Sequence, residues 1–188
     1  SDADLFTINL NNNGGSNYSY TVASGWVTAA NGNWSTAGTW IANAVPPVAT
    51  DMGSVVVGHN VTLNQDALMS ALTINGGATF TASDASPRTL TISNNVSGTN
   101  LSNSGTWANG AGGSTLVFAG TATHTIAGTS AFNNINTTTG INFGAGSTIN
   151  NNFQINAGGF VSTNGPTYAN TSTLIYNMAA WADVNPYH

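Results

Sequence analysis

Ser54-Val-Val-Val-Gly-His-Asn-Val-Thr-Leu63 aligns with Ala71-Leu-Thr-Ile-Asn-Gly-Gly-Ala-Thr-Phe80 at a shift of 17 residues, and that segment aligns with Thr89-Leu-Thr-Ile-Ser-Asn-Asn-Val-Ser-Gly98 at a shift of 18. Val55, Leu72 and Leu90 then form one apolar column, Val57, Ile74 and Ile92 a second, and Val61, Ala78 and Val96 a third. Gly58, Asn75 and Ser93 form a polar column between them that marks a turn. After an excursion from Ser102 to Gly113, Leu116, Ile135, Ile155 and Ile175 recur at spacings of 19, 20 and 20. Such periods are too long for a hairpin and too short for a propeller blade of about 40 residues. One turn of about 20 residues cannot bury its own apolar side chains, but stacked turns bury them in a continuous column and pair each strand above and below. The pattern predicts an all-β chain folded as a parallel β-helix, a β-solenoid. Between Ser54 and Ile175 there is room for about six or seven turns, a rod on the order of 30 Å long at ~4.8 Å per strand.

Composition narrows the function. The chain holds one Arg, no Lys, six Asp and no Glu among 188 residues, so 4% of it is charged against about 25% in an ordinary soluble domain. Its polar surface comes instead from 28 Asn, 27 Thr and 22 Gly. Disordered chains combine low hydrophobicity with high net charge; this one is 40% hydrophobic, which is core material. A single Arg cannot neutralise a row of phosphates, so nucleic-acid binding and a polybasic membrane contact are both excluded. No apolar run approaches the roughly 20 residues that span a bilayer, so no transmembrane insertion is expected. Without cysteine there is neither a disulfide framework nor thiol chemistry. Scarcity of Lys and Glu beside an Asn/Thr/Ser/Gly surface points to an extracellular, cell-surface location. The chain does not start with Met and shows no signal-peptide pattern, which suggests a processed chain or, the favoured expectation, a piece of a longer protein.

Along the chain, residues 1–50 are expected to be a linker and N-terminal cap, 51–176 the β-helix, and 177–188 an extension toward a next module. Asn11 to Asn17 reads as a loop. Trp26, Trp34 and Trp40 supply the cap, because the last apolar layer of a solenoid is otherwise wet. Trp181 caps the other end or belongs to the next module. Asn suits the corners: it tolerates the left-handed conformation of sharp turns, and stacked Asn side chains can hydrogen-bond as a ladder.

Asn33-Trp-Ser-Thr-Ala-Gly-Thr-Trp40, then Pro46, Asp51, Val55-Val-Val57 and Gly58-His-Asn-Val-Thr-Leu63, resembles the opening of β-helical repeat regions in large secreted, adhesin-like surface proteins of Bacteroidota. Thr115-Leu-Val-Phe-Ala-Gly-Thr-Ala-Thr-His-Thr-Ile-Ala-Gly128, with Phe132-Asn-Asn-Ile135, is similar to another recurring segment of those proteins. The resemblance covers residues 33 to 176 and departs from the pattern at Met52-Gly53. It implies a right-handed coil and a stalk or adhesive role, with export by type IX secretion. No catalytic residue travels with it.

Polysaccharide lyases and hydrolases also use right-handed β-helices, and they need clustered carboxylates, with calcium or as an acid/base pair. Asp51, Asp66 and Asp84 are spaced by 15 and 18, but the register puts Asp66 opposite Ser83, one position out of line with Asp84. Side chains alternate faces, so that offset separates them. His59, His124 and His188 are too scattered to supply the three or four ligands a metal takes, and His59 reads as a turn residue. Arg88 is expected to pair with Asp84 at i−4. Thr89/Thr91, Thr121 to Thr125, Thr137 to Thr139 and Thr171/Thr173 suggest a flat Thr face for ice or sugar, but their spacing is irregular. Trp107 and Tyr168 are the aromatic candidates for stacking on a glycan ring, the alternative for Trp107 being a loop folded over the core. The expected function is structural and adhesive, non-enzymatic, with no catalytic, metal or cofactor site. Its partners are other modules of the same chain, surface glycans or the secretion machinery. A carbohydrate-binding β-helix is the alternative, and a lyase or hydrolase the next.

Overall fold

A computed structural model describes residues 6–11, 17–22 and 25–177. Their regular structure is β except for a single 3-10 turn at Ala37–Thr39. Strands β1 (Phe6–Asn11) and β2 (Asn17–Val22) pair antiparallel. Residues 12–16, at the centre of the expected Asn-rich loop, and 178–188, including Trp181 and His188, lie outside the described residues.

From Trp26 onward the chain makes repeated passes through three sheets. The first pass gives β3 (Trp26–Val27) and β4 (Gly32–Asn33); the second gives β5 (Ser54–Val57), β6 (Val61–Thr62) and β7 (Ala67–Met69). The third gives β8 (Ala71–Ile74), β9 (Thr79–Thr81) and β10 (Arg88–Asn94), and the fourth β11 (Gly98–Asn103), β12 (Thr106–Ala108) and β13 (Ser114–Gly120). Then follow β14 (His124–Gly128) with β15 (Ser130–Thr137), β16 (Gly140–Asn142) with β17 (Ser147–Asn156), and β18 (Phe160–Val161) with β19 (Thr167–Tyr168) and β20 (Thr173–Asn177). The first sheet runs β18-β16-β14-β11-β8-β5-β3, the second β12-β9-β6-β4, and the third β19-β17-β15-β13-β10-β7, with β20 also on β17. Every pairing in these three sheets is parallel. The expectation of an all-β fold with parallel strands therefore holds. The second sheet ends as a separate ladder at β12 because β15 and β17 are long strands whose first halves take over that side. The pairing of β15 with β17 shifts register between Phe132 and Asn134, and Phe132 packs on Trp107 with ring centroids 4.9 Å apart.

The columns need correction. Val55 pairs with Leu72 and Val57 with Ile74, as the 17-residue shift predicts. Leu90 and Ile92 do not continue those columns: they sit in the third sheet, paired with Ala67 and Met69 on one side and Leu116 and Phe118 on the other. The strand that follows Leu72 is β11, through Leu101, 29 residues on. Leu72-Thr-Ile74 and Leu90-Thr-Ile92 belong to one pass, on different sides of it. An inward-outward-inward triplet looks the same on any side of a core, which is why the alignment mistook one for the next copy of the other. Val61 pairs with Phe80 rather than Ala78, and Val96 is 70% exposed at a corner. In the second register Leu116 does pair with Ile135. Ile135 then meets Phe153, Ile155 meets Thr137 and Ile175 meets Gln154. Corner loops of unequal length between strands break the fixed period.

The core runs as one cluster from Trp34 and Trp40 to Phe153 and Ile155, with Val161 of the last pass packed against its end. Alternation places its members: β5 buries Val55 and Val57, β10 Leu90 and Ile92, β17 Ile149, Phe153 and Ile155. Each such side chain contributes about 1.5–3 kcal/mol on burial. Trp34 lies edge-on to Trp40 at 4.7 Å and to Phe80 at 6.1 Å, and Trp26 edge-on to Trp40 at 5.6 Å. The Trp40 Nε1–H donates to the Trp34 carbonyl at 2.8 Å. The Trp34 Nε1–H has no hydrogen-bond partner, a cost of about 1–3 kcal/mol. Edge-to-face contacts worth about 0.5–1.5 kcal/mol each, added to burial of the whole indole, outweigh it.

Corner Asn and Asp side chains serve backbone amides, either of the next pass or two residues on in their own turn, more often than they bond one another in ladders. Asn31 Oδ1 accepts from Asn60 N–H, Asn60 Oδ1 from Thr79 N–H, and Asn109 Oδ1 from Asn133 N–H. Strand pairing stops at corners and leaves amides that would otherwise be unpaired, so these bonds are worth more than Asn-to-Asn contacts. Asn-to-Asn side-chain bonds between passes join Asn151 to Asn134 and Asn177 to Asn156.

Candidate functional site

The two aromatic candidates occupy one column. Trp107 pairs with Phe80 and packs on it at 5.2 Å, Phe132 covers its other side, and Phe132 in turn pairs with Ile149 and Ile149 with Tyr168. Trp107 is 8% exposed and its indole N–H donates to Asn109 Oδ1 at 3.1 Å. It is core, flanked by rings on both sides, with no open face for a sugar. Tyr168 is 41% exposed on the last pass, and burial against that pass raises its phenol above the usual range. With Phe132 and Ile149 between them, the two candidates lie three strand spacings apart, on the order of 14 Å, and do not form one site.

The carboxylates are equally separate, each engaged in its own corner. Asp51 Oδ1 accepts from Gly53 N–H and Asp66 Oδ1 from Thr89 N–H. Asp84 accepts from Ser86 N–H and holds Arg88 through two bonds, Nε to Oδ1 at 2.9 Å and Nη2 to Oδ2 at 2.8 Å. The Asp84–Arg88 pair is thus as the sequence predicts. Arg88 first, then the Ser86 amide, draw the Asp84 pKa down to about 2 from 3.8. Because the folded value is the lower one, the pair's contribution is complete above pH 3.8 and is lost as pH falls toward 2. Carboxyl NMR titration is expected to find Asp84 returned toward 3.8 in Arg88→Met; an unchanged value would assign the shift to the corner amide alone.

His59 Nδ1 lies 3.1 Å from Thr28 Oγ1, and Thr28 Oγ1 accepts from Gly58 N–H at 2.9 Å, a turn role. His124 is fully buried at the start of β14, against the Phe118 ring at 5.2 Å. Its Nδ1 is 3.0 Å from Asn100 Oδ1 and its Nε2 2.7 Å from the Ala119 carbonyl. A neutral imidazole donates through one nitrogen; with Nε2–H donating to the Ala119 carbonyl, Nδ1 accepts a hydrogen bond from the Asn100 side-chain amide once that group is turned over. Burial lowers the His124 pKa below 6.5, against the smaller opposing effect of the Ala119 carbonyl. As pH falls below 6.5 the unfolded chain therefore binds the proton first: stability is full above 6.5 and lost as pH drops through the folded value. Urea titrations at pH 7.5 and 5 are expected to show this loss in the native chain and a smaller one in His124→Gln. Equal slopes in both would remove His124 as the cause.

Among the described residues no three His, Cys, Asp or Glu side chains lie close enough to hold a metal ion. A shallow open concavity of about 580 Å³, lined by Asp51, Gly53, Ser70 and the corner Ser93 to Val96, crosses three passes where the third sheet meets the first. The Thr groups picked out in the sequence fall in different sheets and corners: Thr89 and Thr91 in β10, Thr125 in β14, Thr137 in β15 and Thr173 in β20. What the sequence reading missed are the outward positions of β6, β9 and β12, which register alone brings together.

No family model, no curated protein and no solved structure matches the chain. Its class is defined by its own geometry: an all-β protein of parallel sheets around one shared core.

Proposed function

We propose that the passes are windings of a right-handed parallel β-helix, closed at its N-terminal end by Trp26, Trp34 and Trp40. We also propose that it serves as a structural and adhesive, non-enzymatic segment of a large secreted surface protein. The observation that carries this reading is the uninterrupted core together with parallel pairing from β3 to β18. Each winding is used to extend the one before it, which is what a spacer needs. The surface residues, nearly free of charge, suit a fibre that is displayed outside the cell rather than one that docks on phosphates. The resemblance to Bacteroidota surface repeats supports the same location, type IX export and partners among neighbouring modules.

Small-angle scattering of the purified chain tests the architecture, with a rod-like cross-section expected and a globular profile decisive against it. Attachment is tested in the parent organism by deleting residues 54–177 in frame: reduced surface adhesion with normal export is expected, and unchanged adhesion rejects the role. The exposed ring of Tyr168 favours carbohydrate binding as the second reading. Glycan-array binding that Tyr168→Ala abolishes, with folding intact, would replace the first reading by the second.

A further inference from the structure

We propose that the outer face of the second sheet, continued by the first halves of β15 and β17 and by β19, is an ice-binding surface. Each of these strands puts one apolar residue into the aromatic column (Val61, Phe80, Trp107, Phe132, Ile149 or Tyr168), so the residues on either side of it face outward. Register then stacks Thr62 on Thr81, Thr79 on Thr106 and Thr148 on Thr167. The remaining outward places are filled by Asn60, Ala108, Ala131, Asn133, Asn150 and Ala169. Two columns of Thr, Asn and Ala thus run along β6, β9 and β12 and, beyond a break in the pairing between β12 and β15, along β15, β17 and β19, with no charged or large side chain among them.

Three features fit this face to a frozen water lattice. Its repeats are fixed by the backbone: about 4.8 Å between strands and roughly 6.6 Å between outward residues of one strand, close to the spacing of water oxygens on a prism face of hexagonal ice. Thr carries a hydroxyl that bonds water and a methyl that displaces it, on a side chain stiff at its first torsion, so the array holds its shape without ordering cost. Ice excludes ions, and a face without charge has no hydrated ion to strip. The aromatic column behind it, with Phe80, Trp107 and Phe132 in contact, keeps the strands in place. The other two faces lack this regularity. The first sheet turns Val27 and Val56 outward in its opening passes, and the third turns out Leu68, Val117 and Gln154 and carries Arg88. A sugar lattice is the rival occupant, but it is met by aromatic platforms, and Phe80, Trp107 and Phe132 are buried behind this face, leaving only the ring of Tyr168 open on the last strand.

Purified chain at millimolar and lower concentration should show thermal hysteresis and should partition into a slowly growing ice hemisphere. Thr81→Tyr combined with Thr106→Tyr should abolish both, while Thr73→Tyr, outward on the first sheet, should leave both intact; circular dichroism establishes that each variant is folded. Exclusion of the native chain from ice overturns the proposal. So does equal loss in Thr73→Tyr, and so does adsorption to microcrystalline cellulose or chitin without ice activity, which would give the face to a polysaccharide.

Discussion

Trp107→Ala is expected to lower the unfolding free energy by about 3–5 kcal/mol, the range for removing a large aromatic from a core that relaxes only in part. Trp107 sits between Phe80 and Phe132, in the middle of the column rather than at its end, so the cavity would be walled on both sides. The lost ring also ends two tilted or edge-on contacts, each worth about 0.5–1.5 kcal/mol. Tyr168→Ala, in the same column but on the exposed last pass, removes a ring with one covered side and should cost much less. Urea unfolding followed by far-ultraviolet circular dichroism measures both. A Trp107→Ala loss no larger than that of Tyr168→Ala would show that the column does not carry the stability assigned to it. In an array where each layer touches only its neighbours, a gap at one layer can also split the transition into two. A lowered slope in Trp107→Ala, absent in Tyr168→Ala, would report that split.

Gly128→Ala is the second large effect, expected at about 2–6 kcal/mol: about 1–3 from a strained backbone conformation and about 1–3 from overpacking. Gly128 ends β14 with φ of 87°, and a Cβ there would run into the carbonyl group of Asn103, its partner on β11. Gly77 supplies the control. Its φ is 84°, but a Cβ would meet nothing within 4 Å, so Gly77→Ala carries the conformational part alone. Thermal unfolding of the two variants should separate the parts. If Gly77→Ala is as damaging as Gly128→Ala, the close approach of β11 and β14 contributes nothing. The comparison also reads out pairing between passes, because Asn103 reaches on through its Nδ2 to the Thr129 carbonyl and Ser130 Oγ.

Period-two alternation of Val, Ile, Leu and Phe with Thr and Asn, closed by Gly, Asn and Ser, was sufficient to specify strands, because a half-buried strand leaves no other pattern. The sequence likewise determined that those strands need partners from other passes, since none is long enough to bury its own apolar face. The Asp84–Arg88 pair was legible because it is local in sequence. Which strand meets which was not. Leu72-Thr-Ile74 and Leu90-Thr-Ile92 carry one pattern and lie in two sheets, and pairing distances vary from 17 residues for Val55 with Leu72 to 29 for Leu72 with Leu101. Only the folded chain decides that, because corner loops such as Ser83 to Pro87 and Asn109 to Gly113 change the path length between sides without changing the pattern of any strand. Trp107 shows the same limit: its neighbours in sequence are Thr106 and Ala108, and its burial is set by Phe80 and Phe132, which only tertiary packing brings against it.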